Sequence, residues 1–306
     1  KMNNSKITLI TSKKNHDYAK SFQFFDNVIM FPSKKLFEKI KFVYNLSKKK
    51  FDYILVLDGK DRSLISSIFI KSPCKVGIIS EKKASNIWKF FKIELLNNTE
   101  SKIIELLEES LKYCKISESI SNYNFLDSKK DNNFSSKIKI NNYLHIHLDE
   151  KWFKNLYIKR YTDINPSYND MVNFLNLIVK KYNVLITTGL IDFTLIDNLK
   201  NNFFDRLNEK IYFKKSQNNS IYFIYKPSFE DIESLLRKSK ILITCIGAIT
   251  HAANSFNVDI IDIIEENCSL SYSRYTSYMN NYKTIFRNKF TLIQQKLLEQ
   301  LNMKLH

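Results

Sequence analysis

The sequence predicts an α/β protein with two Rossmann-like domains, each built on a parallel sheet. Short apolar strands alternate with helical stretches in both halves of the chain. A polar stretch interrupts this alternation between residues 117 and 140. Residues 235–264 combine a helix end, a strand, a glycine turn, a helix and a second strand. Strands joined through helices imply right-handed crossovers, and therefore parallel pairing.

The first half contains four short apolar runs that predict strands. They are Ile7–Thr11, Asn27–Phe31, Tyr53–Leu57 and Lys75–Ile79. Helical stretches are predicted at about residues 14–22, 34–48, 61–70 and 100–114. In the second of these helices the apolar residues recur at helical spacing. These residues are Leu36, Phe37, Ile40, Val43 and Tyr44.

Residues 117–140 are rich in Ser, Asn, Asp and Lys and carry no sustained period, which is typical of a linker. We therefore predict a first domain over residues 1–118 and a linker over 119–141. The second domain is predicted over 142–285. The remaining residues, 286–306, are predicted to form a C-terminal amphipathic helix.

The second half restarts the alternation with longer apolar strands. Predicted strands are Tyr143–Leu148, Val184–Thr188, 211–214, 221–225, Ile241–Cys245 and Val258–Ile264. Predicted helices cover about residues 168–181, 193–205 and 229–238, and a further helix follows Gly247 and carries His251. This half therefore has the pattern of a second parallel sheet.

The composition limits the class of protein and its partners. No apolar run approaches the roughly 20 residues of a membrane span, and the opening residues do not have the pattern of a signal peptide. We therefore expect a cytoplasmic protein. The formal charge of +17 comes from lysines spread over the whole chain, with only 4 Gly and 4 Pro. This reads as a general compositional bias, so nucleic acid is not an expected partner. Attraction to an anionic membrane face or an acidic acceptor is favoured instead.

Metal and disulfide chemistry are not expected. The four cysteines, Cys74, Cys114, Cys245 and Cys268, are widely spaced and match no metal-ligand pattern. His145 and His147 share one face of a strand, but a metal pair would need a third ligand, so ordinary strand positions are favoured.

The turn after Ile241–Cys245 is the first candidate for ligand binding. A glycine turn leading into a helix aims backbone N–H groups and the positive helix end at a phosphate. Any parallel sheet contains such crossovers, so a purely structural turn remains an equal alternative.

Four stretches in order along the chain carry a family resemblance. They are Asp58–Ser63 running on to Ser72–Gly77, Ser228–Ile243, Gly247–Ala253 and Arg274-Tyr275. The ordered set resembles the family-nine glycosyltransferases, the ADP-heptose:lipopolysaccharide heptosyltransferase family. The resemblance implies the GT-B fold, in which two Rossmann-like domains have parallel sheets facing a central cleft.

The chain departs from the family pattern at three places. Ile246 stands where the family has an acidic residue, and His147–Trp152 stands where it has a glycine-rich turn. The opening Gly-Asp loop, which supplies the presumed general base of the family, has no counterpart. We therefore expect that the first strand and helix are missing. The catalytic residue is left unknown, and the chain is either a fragment of an enzyme or a degenerate member.

The resemblance implies an inverting, metal-independent glycosyltransferase without a cofactor. It would transfer a heptose or related sugar from a nucleotide-sugar donor, ADP-linked by preference. The acceptor would be the lipopolysaccharide core or another anionic surface glycolipid, which implies peripheral contact with the inner membrane face. Two alternatives remain. One is another GT-B enzyme, with a different donor or with nucleotide-sugar epimerase activity. The other is a non-catalytic nucleotide- or glycan-binding protein.

The resemblance and the loop positions together single out candidate donor-binding residues in the second domain. Gly247 and Ala248 would let the backbone approach a phosphate, and His251 would donate a hydrogen bond to a diphosphate. Packing of His251 under the neighbouring strand is the alternative. Lys151 and Lys154 would neutralise charge on the departing nucleoside diphosphate, unless they are ordinary surface lysines.

A second group of candidate donor-binding residues lies at the end of the predicted strand Val184–Thr188 and just beyond it. Thr188, Gly189 and Asp192 stand where the resemblance places an acidic residue on the nucleoside ribose. Asp192 as N-cap of a helix beginning at Phe193 is the favoured alternative.

Candidate acceptor-binding residues follow a strand of the first domain. They are Asp58, Lys60 and Arg62, and the guanidinium of Arg62 suits a carboxylate or phosphate. An exposed cluster at the start of a helix is the alternative.

Overall fold

The computed structural model describes residues 5–32, 35–79, 85–97, 102–116, 126 and 131–303. About half of the predicted linker, together with one end of the helix predicted at 34–48 and of that at 100–114, lies outside these ranges. The chain divides into two compact units. The first comprises Lys1–Asn122 and Ser273–Tyr278, and the second comprises Tyr123–Tyr272 and Met279–His306.

The first unit contains two small parallel sheets. One sheet pairs β1 (Thr8–Thr11) with β2 (Asn27–Met30). The other has the order β3 (Tyr53–Val56), β4 (Cys74–Ile79) and β5 (Ile93–Asn97). The helices are α1 (Lys13–Lys20), α2 (Leu36–Ser47), α3 (Asp61–Ile68), α4 (Ser85–Phe90) and α5 (Ile103–Tyr113).

Close packing of α3 on β4 depends on a glycine. A Cβ at Gly77 would lie 2.5 Å from Cδ2 of Leu64, a side chain with no exposed surface. Leu64 packs with Val56, Ile79 and Ile93 in one of the apolar clusters of this unit. A separate cavity of about 310 Å³ is lined by residues of β1 and of β3, which share no backbone pairing in the described residues.

The second unit is built on eight strands and the helices between them. The strands are β6 (Tyr143–Leu148), β7 (Val184–Thr188), β8 (Asp205–Arg206), β9 (Ile211–Lys215), β10 (Ser220–Ile224), β11 (Ser239–Cys245), β12 (Asp259–Ile264) and β13 (Tyr282–Phe286). The helices are α6 (Tyr168–Ile178), α7 (Thr194–Asn202), α8 (Phe229–Leu236), α9 (Ala248–Ser255), α10 (Ser269–Thr276) and α11 (Phe290–Gln300). Part of α10 groups with the first unit.

The strand order of this sheet is β13-β12-β11-β6-β7-β10-β9-β8. The strands from β13 to β10 are parallel, whereas β9 and β8 are antiparallel additions at one edge. Numbered along the chain, the parallel strands from β10 to β13 have the doubly wound order 3-2-1-4-5-6. The order reverses between β6 and β11, and such a switch point is where ligands bind to sheets of this type.

The core of the second unit explains its long apolar strands. Every residue of β6 and of β7 is buried, because helices cover both faces of the sheet. On one face Phe174 of α6 stacks edge-on against Phe290 of α11 at 5.8 Å, and Trp152 lies 6.3 Å from the same ring.

The predicted α/β class and the predicted strands are confirmed, and several elements were missed. Those that the sequence did not predict are α4, β5, β8, α10 and β13. The polar stretch also contains more structure than expected. Phe134, Ile138 and Ile140 lie in the predicted linker, yet they are buried in a cluster of the second unit.

None of the helices in the described parts of the chain combines the length and the apolar character that crossing a bilayer requires.

Two leucines of α11 give a matched test of this packing. Leu297 has no exposed surface, whereas Leu292 on the same helix is half-exposed. We expect Leu297→Ala to lower the free energy of unfolding by about 2–5 kcal/mol through the cavity it leaves. Leu292→Ala should cost under about 1 kcal/mol. Urea unfolding in a Trp88→Phe background measures this, because Trp152 then reports on the second unit alone. Equal losses in the two variants would contradict the packing of α11.

Candidate functional site

The loops that follow β6, β7 and β11 meet at the carboxyl edge of the large sheet. A Cβ at Gly247 would lie 2.7 Å from Nζ of Lys151, and a Cβ at Gly189 would lie 2.9 Å from Cβ of Asp149. Glycine at these two positions therefore allows the loop after β6 to lie against both neighbouring strand ends. Of the residues predicted from sequence, Lys151, Gly189 and Gly247 are brought together here.

Lys151 carries a fixed charge at this edge. Its Nζ donates a hydrogen bond to Oδ2 of Asp149 at 2.7 Å, and the two side chains are 17% and 4% exposed. Burial disfavours the charged ammonium, but the Asp149 carboxylate outweighs it and the pKa of Lys151 is raised. The other oxygen of Asp149 accepts the backbone N–H of Lys151 at 3.1 Å. The ammonium is therefore protonated at neutral pH and held in one place.

The loop that carries Lys151 is anchored by its tryptophan. Trp152 is fully buried, and its indole Nε1 donates to the carbonyl of His147 at 2.9 Å. Residues 150–152 form a short 3₁₀ turn directly after β6, capped by the Asp149 carboxylate. Sequence analysis gave no role to Asp149, although an acidic residue directly after a buried strand was the available signal.

A buried polar chain lies behind this loop. Oγ1 of Thr187 is 2.7 Å from Nε2 of His145 and 2.9 Å from Nδ1 of His147. Burial lowers the pKa of both imidazoles, that of His147 to about 3, so both rings are neutral. One hydroxyl has one proton, so Thr187 donates to one ring and accepts from the other. The two histidines thus hold strand-interior positions, and no group of His, Cys, Asp and Glu suited to a metal occurs in the described ranges.

The helix α9 begins at the switch point with Gly247 as its N-cap. The N–H of Gly247 is already used, because it donates to Oγ1 of Thr250 at 3.3 Å. The helix geometry leaves the N–H groups of Ala248 and Ile249 without an intrahelical acceptor. Those two groups, rather than the amide of Gly247, are the donors that this helix end can offer to an anion.

His251 lies on the same helix, one turn beyond its start. The side chain is half-buried, and burial lowers the pKa of its imidazole. The ring is therefore neutral at physiological pH and has one N–H to donate.

A buried carboxylate supports the start of α9 from below. Oγ1 of Thr250 donates to the Asp262 carboxylate, with 3.1 and 3.2 Å to its two oxygens. Asp262 lies on β12 with no exposed surface, and burial raises its pKa to about 7. The chain from Asp262 through Thr250 to Gly247 therefore fixes the turn. None of these contacts was foreseen from the sequence.

The ends of β12 and β13 add a second pair of charges to this edge. Arg287 is buried and donates through Nε to the carbonyl of Thr162 at 2.8 Å. Glu265 accepts from the N–H and the hydroxyl of Thr162 at 2.7 and 3.0 Å, and it lies 3.8 Å from Arg287. A second guanidinium nitrogen is 3.7 Å from Sγ of Cys245 at the end of β11. Sequence analysis missed both charges, although each directly follows a strand.

The remaining predicted donor-site residues have other contacts. Lys154 is half-buried, and its backbone N–H donates to Asp163 at 3.0 Å. Thr188 is buried, and its hydroxyl accepts the N–H of Lys226 at 2.8 Å. Both contacts are made within the protein, so they do not test whether Lys154 and Thr188 bind a ligand.

Asp192 is not a helix cap. The N-cap of α7 is Phe193, without a side-chain capping bond, so the favoured alternative for Asp192 was wrong. Its carboxylate instead accepts from Nζ of Lys226 and from the hydroxyl of Tyr225. These two hydrogen bonds lower the pKa of Asp192.

The predicted acceptor cluster lies in the first unit, at the carboxyl end of β3. Asp58, Lys60 and Arg62 are all exposed. The Asp58 carboxylate accepts from the N–H of Lys60 at 3.2 Å and from the hydroxyl of Ser63 at 2.8 Å. Gly59 has a φ of 63°, which lets the chain turn sharply into α3. Asp58 thus stabilises this turn, while the side chain of Arg62 points to solvent.

The chain is similar in structure to known GT-B proteins, although its sequence matches no known family profile and no curated protein. The E. coli heptosyltransferase WaaC, solved with ADP-2-deoxy-2-fluoro heptose, has a TM-score of 0.64 at 10% identity; 98% of this chain and 91% of that chain are covered. A family-nine glycosyltransferase from Veillonella parvula has a TM-score of 0.63 at 10% identity, covering 99% and 82%. A UDP-N-acetylglucosamine 2-epimerase has a TM-score of 0.53 at 11% identity, covering 97% and 79%. The expected GT-B fold is therefore confirmed, as a fold shared by transferases and epimerases.

The raised pKa of Asp262 makes stability depend on pH. The carboxyl titrates near 7 in the folded protein, against 3.8 ordinarily. Between these values the folded protein holds a proton that the unfolded chain releases. We therefore expect stability to fall as pH rises from about 4 to 7, by up to about 1.4 kcal/mol per pH unit.

Urea unfolding across this pH range, compared with Asp262→Asn, measures the effect. The asparagine variant should gain stability relative to the wild type as pH rises. Asp259→Asn removes an exposed carboxylate from the same strand and serves as the control. If the free energy of unfolding changed with pH in the same way in the wild type and in Asp262→Asn, the burial of a protonated carboxyl would be contradicted.

Proposed function

We propose that the protein is a glycosyltransferase that binds the diphosphate of a nucleotide-sugar donor at the carboxyl edge of the large sheet. The observation that carries the proposal is the position of Lys151. Its charged ammonium is fixed by Asp149 against Gly247, at the start of α9 and at the switch point of the strand order. A fixed cation beside a helix N-terminus is the electrostatic arrangement that a diphosphate requires.

Lys151 and α9 would act together on the leaving group. An ammonium has three N–H donors, and Asp149 takes one of them. The others remain for phosphate oxygens, while the N–H groups of Ala248 and Ile249 face the same charge from the helix. As the glycosidic bond breaks, negative charge builds on the departing diphosphate. Preorganised donors lower the barrier because they stabilise this charge without reorganising.

The other donor-site residues have supporting roles in this proposal. His251 would donate its N–H to the diphosphate, and Gly189 would let the loop that carries Lys151 lie against the end of β7 beside the donor. Thr188 would hold the backbone of Lys226 beside Asp192 through its hydroxyl. Asp192 would accept from the ribose hydroxyls, and Lys154 would add positive charge near the donor.

The acceptor and the transferred sugar are the finer part of the proposal. Asp58, Lys60 and Arg62 of the first unit would bind an anionic glycolipid acceptor, with Arg62 contacting a carboxylate or phosphate. The sugar would be a heptose or a related sugar from an ADP-linked donor, transferred with inversion and without a metal to the lipopolysaccharide core or another surface glycan. The general base is not assigned to any residue.

Two observations favour alternatives. The fold is shared with a UDP-N-acetylglucosamine 2-epimerase, which supports a nucleotide-sugar epimerase or a transferase with another donor. Ile246 stands directly before the turn at Gly247, where the resembling family has an acidic residue. This change favours a binding protein without catalysis.

The nucleotide that stabilises the protein distinguishes these functions. We expect ADP to raise the unfolding temperature of the full chain more than GDP or UDP at equal concentration, since binding to the folded state adds stability by mass action. Preference for UDP would favour the epimerase alternative. ADP stabilisation without turnover of any ADP-sugar would favour the binding protein. The absence of a shift with all three nucleotides would contradict the proposed site.

Removing the Lys151 ammonium tests the observation on which the proposal depends. We expect Lys151→Met to weaken binding of the stabilising nucleotide by about tenfold or more, because a charge-assisted contact is lost. Isothermal titration calorimetry measures this loss. The matched control is Lys240→Met, an exposed lysine at the opposite end of β11, which should bind within about twofold of the wild type.

A second variant keeps the lysine but moves it. Gly247→Ala would place a Cβ 2.7 Å from Nζ of Lys151, while the extended φ of 178° accepts alanine. We expect weaker nucleotide binding in a protein with unchanged fold. Wild-type nucleotide affinity in both variants would overturn the role of Lys151. If Lys151→Met loses stability because Asp149 is left unpaired, Gly247→Ala still tests that role.

A further inference from the structure

Helix α2 exposes the apolar side chains that an ordinary helix of a globular protein buries. The four that are more than half exposed are Leu36 at 72%, Phe37 at 76%, Ile40 at 58% and Tyr44 at 60%. The side chain that this helix buries is Leu46, with Phe42 and Val43 half-buried. The apolar surface of α2 thus extends well beyond the face that packs on the protein.

The four exposed side chains form one continuous stripe. Their positions, at i, i+1, i+4 and i+8, span roughly 100° around a helix of 3.6 residues per turn. By the same geometry the half-buried Phe42 lies opposite this stripe, and the buried Leu46 lies outside it. The stripe is therefore directed to solvent along the whole length of the helix.

Helix α6 of the second unit follows the usual rule. In α6 the apolar residues Met171, Phe174, Leu175 and Ile178 are all buried. Its capping residue Ser167 and the acidic Asp170 are on the solvent side. Other helices expose single large apolar residues, such as Phe90 of α4 and Leu270 of α10, whereas α2 exposes four on one side.

Lysines lie along one border of the apolar stripe and near the ends of the helix. Lys35, Lys41, Lys48, Lys49 and Lys50 are exposed at or near this helix, against one acidic residue within it, Glu38. Nζ of Lys48 lies 4.2 Å from the centre of the Tyr44 ring, at the border of the stripe. By the helical geometry Lys41 lies on the same flank as Lys48. An apolar stripe with a cationic border is complementary to a surface with an apolar interior and anionic headgroups.

We propose that α2 lies in the plane of an anionic lipid bilayer, with Leu36, Phe37, Ile40 and Tyr44 inserted at the boundary between headgroups and acyl chains. The bordering lysines contact lipid phosphates, and the net charge of +17 attracts the whole chain to the same surface. The density of lysines selects an anionic bilayer over an apolar protein groove. One helix of this length gives weak, reversible binding. The inference does not depend on the proposed transferase activity.

Sedimentation with vesicles tests this inference on the full chain. Vesicles of phosphatidylcholine alone are compared with an equal mixture of phosphatidylcholine and phosphatidylglycerol. We expect about tenfold or more stronger binding to the mixed vesicles, weakened by added salt. The double variant Phe37→Ser and Ile40→Ser should lose about tenfold of this binding. Phe90→Ser, an 82% exposed phenylalanine on α4, is the matched control and should bind like the wild type.

The second variant tests the lysines separately. The double variant Lys48→Gln and Lys49→Gln should lose several-fold in affinity for the mixed vesicles and part of the salt dependence of binding. This variant tests the inference if the serine double variant fails to fold. Equal binding to the two vesicle types would overturn the inference, as would wild-type binding by both double variants. A wild-type dimer in light scattering that the serine variant abolishes would identify a second copy as the occupant and overturn it as well.

Discussion

The candidate site depends on the ion pair between Lys151 and Asp149. Burying two opposite charges costs desolvation free energy, which short hydrogen bonds must offset. Asp149 meets this condition, because it accepts from both the ammonium and the backbone N–H of Lys151. The neighbouring His147 is neutral, so it adds no competing charge. The result is an ammonium whose position is set before any ligand arrives.

The topology of the sheet decides where this centre lies. The strands β6 and β11 are neighbours in space but are separated by about a third of the chain. The strand order reverses between them, which makes this pair the switch point of the sheet. The loop after β6 brings Lys151, and the loop after β11 brings Gly247 and the start of α9. Two weak local features thereby become one site through pairing at long range.

The sequence predicted those parts of the fold that local pattern determines. Tyr143–Leu148 and Val184–Thr188 were predicted to the residue, because each is rich in strand-forming residues and directly follows an asparagine. The edge strand β13 was missed, since Tyr-Lys-Thr-Ile-Phe mixes polar and apolar residues. The contact of Thr187 with two histidines about 40 residues away was not predictable, because it depends on strand register. Lys151 was predicted from its position in the loop after a strand, but its hydrogen-bond partner Asp149 was not predicted.

The two units differ in how backbone hydrogen bonds hold their strands together. In the second unit one continuous ladder of backbone hydrogen bonds ties all eight strands together, so its strands resist opening individually. In the first unit the ladder is interrupted, and a cavity lies along the interruption. In the part of the first unit that the structure describes, no strand pairing joins the two small sheets. Amide protons of β1 and β3 therefore belong to the class that exchanges with solvent through local fluctuations, whereas those of β6 exchange only when the unit unfolds as a whole.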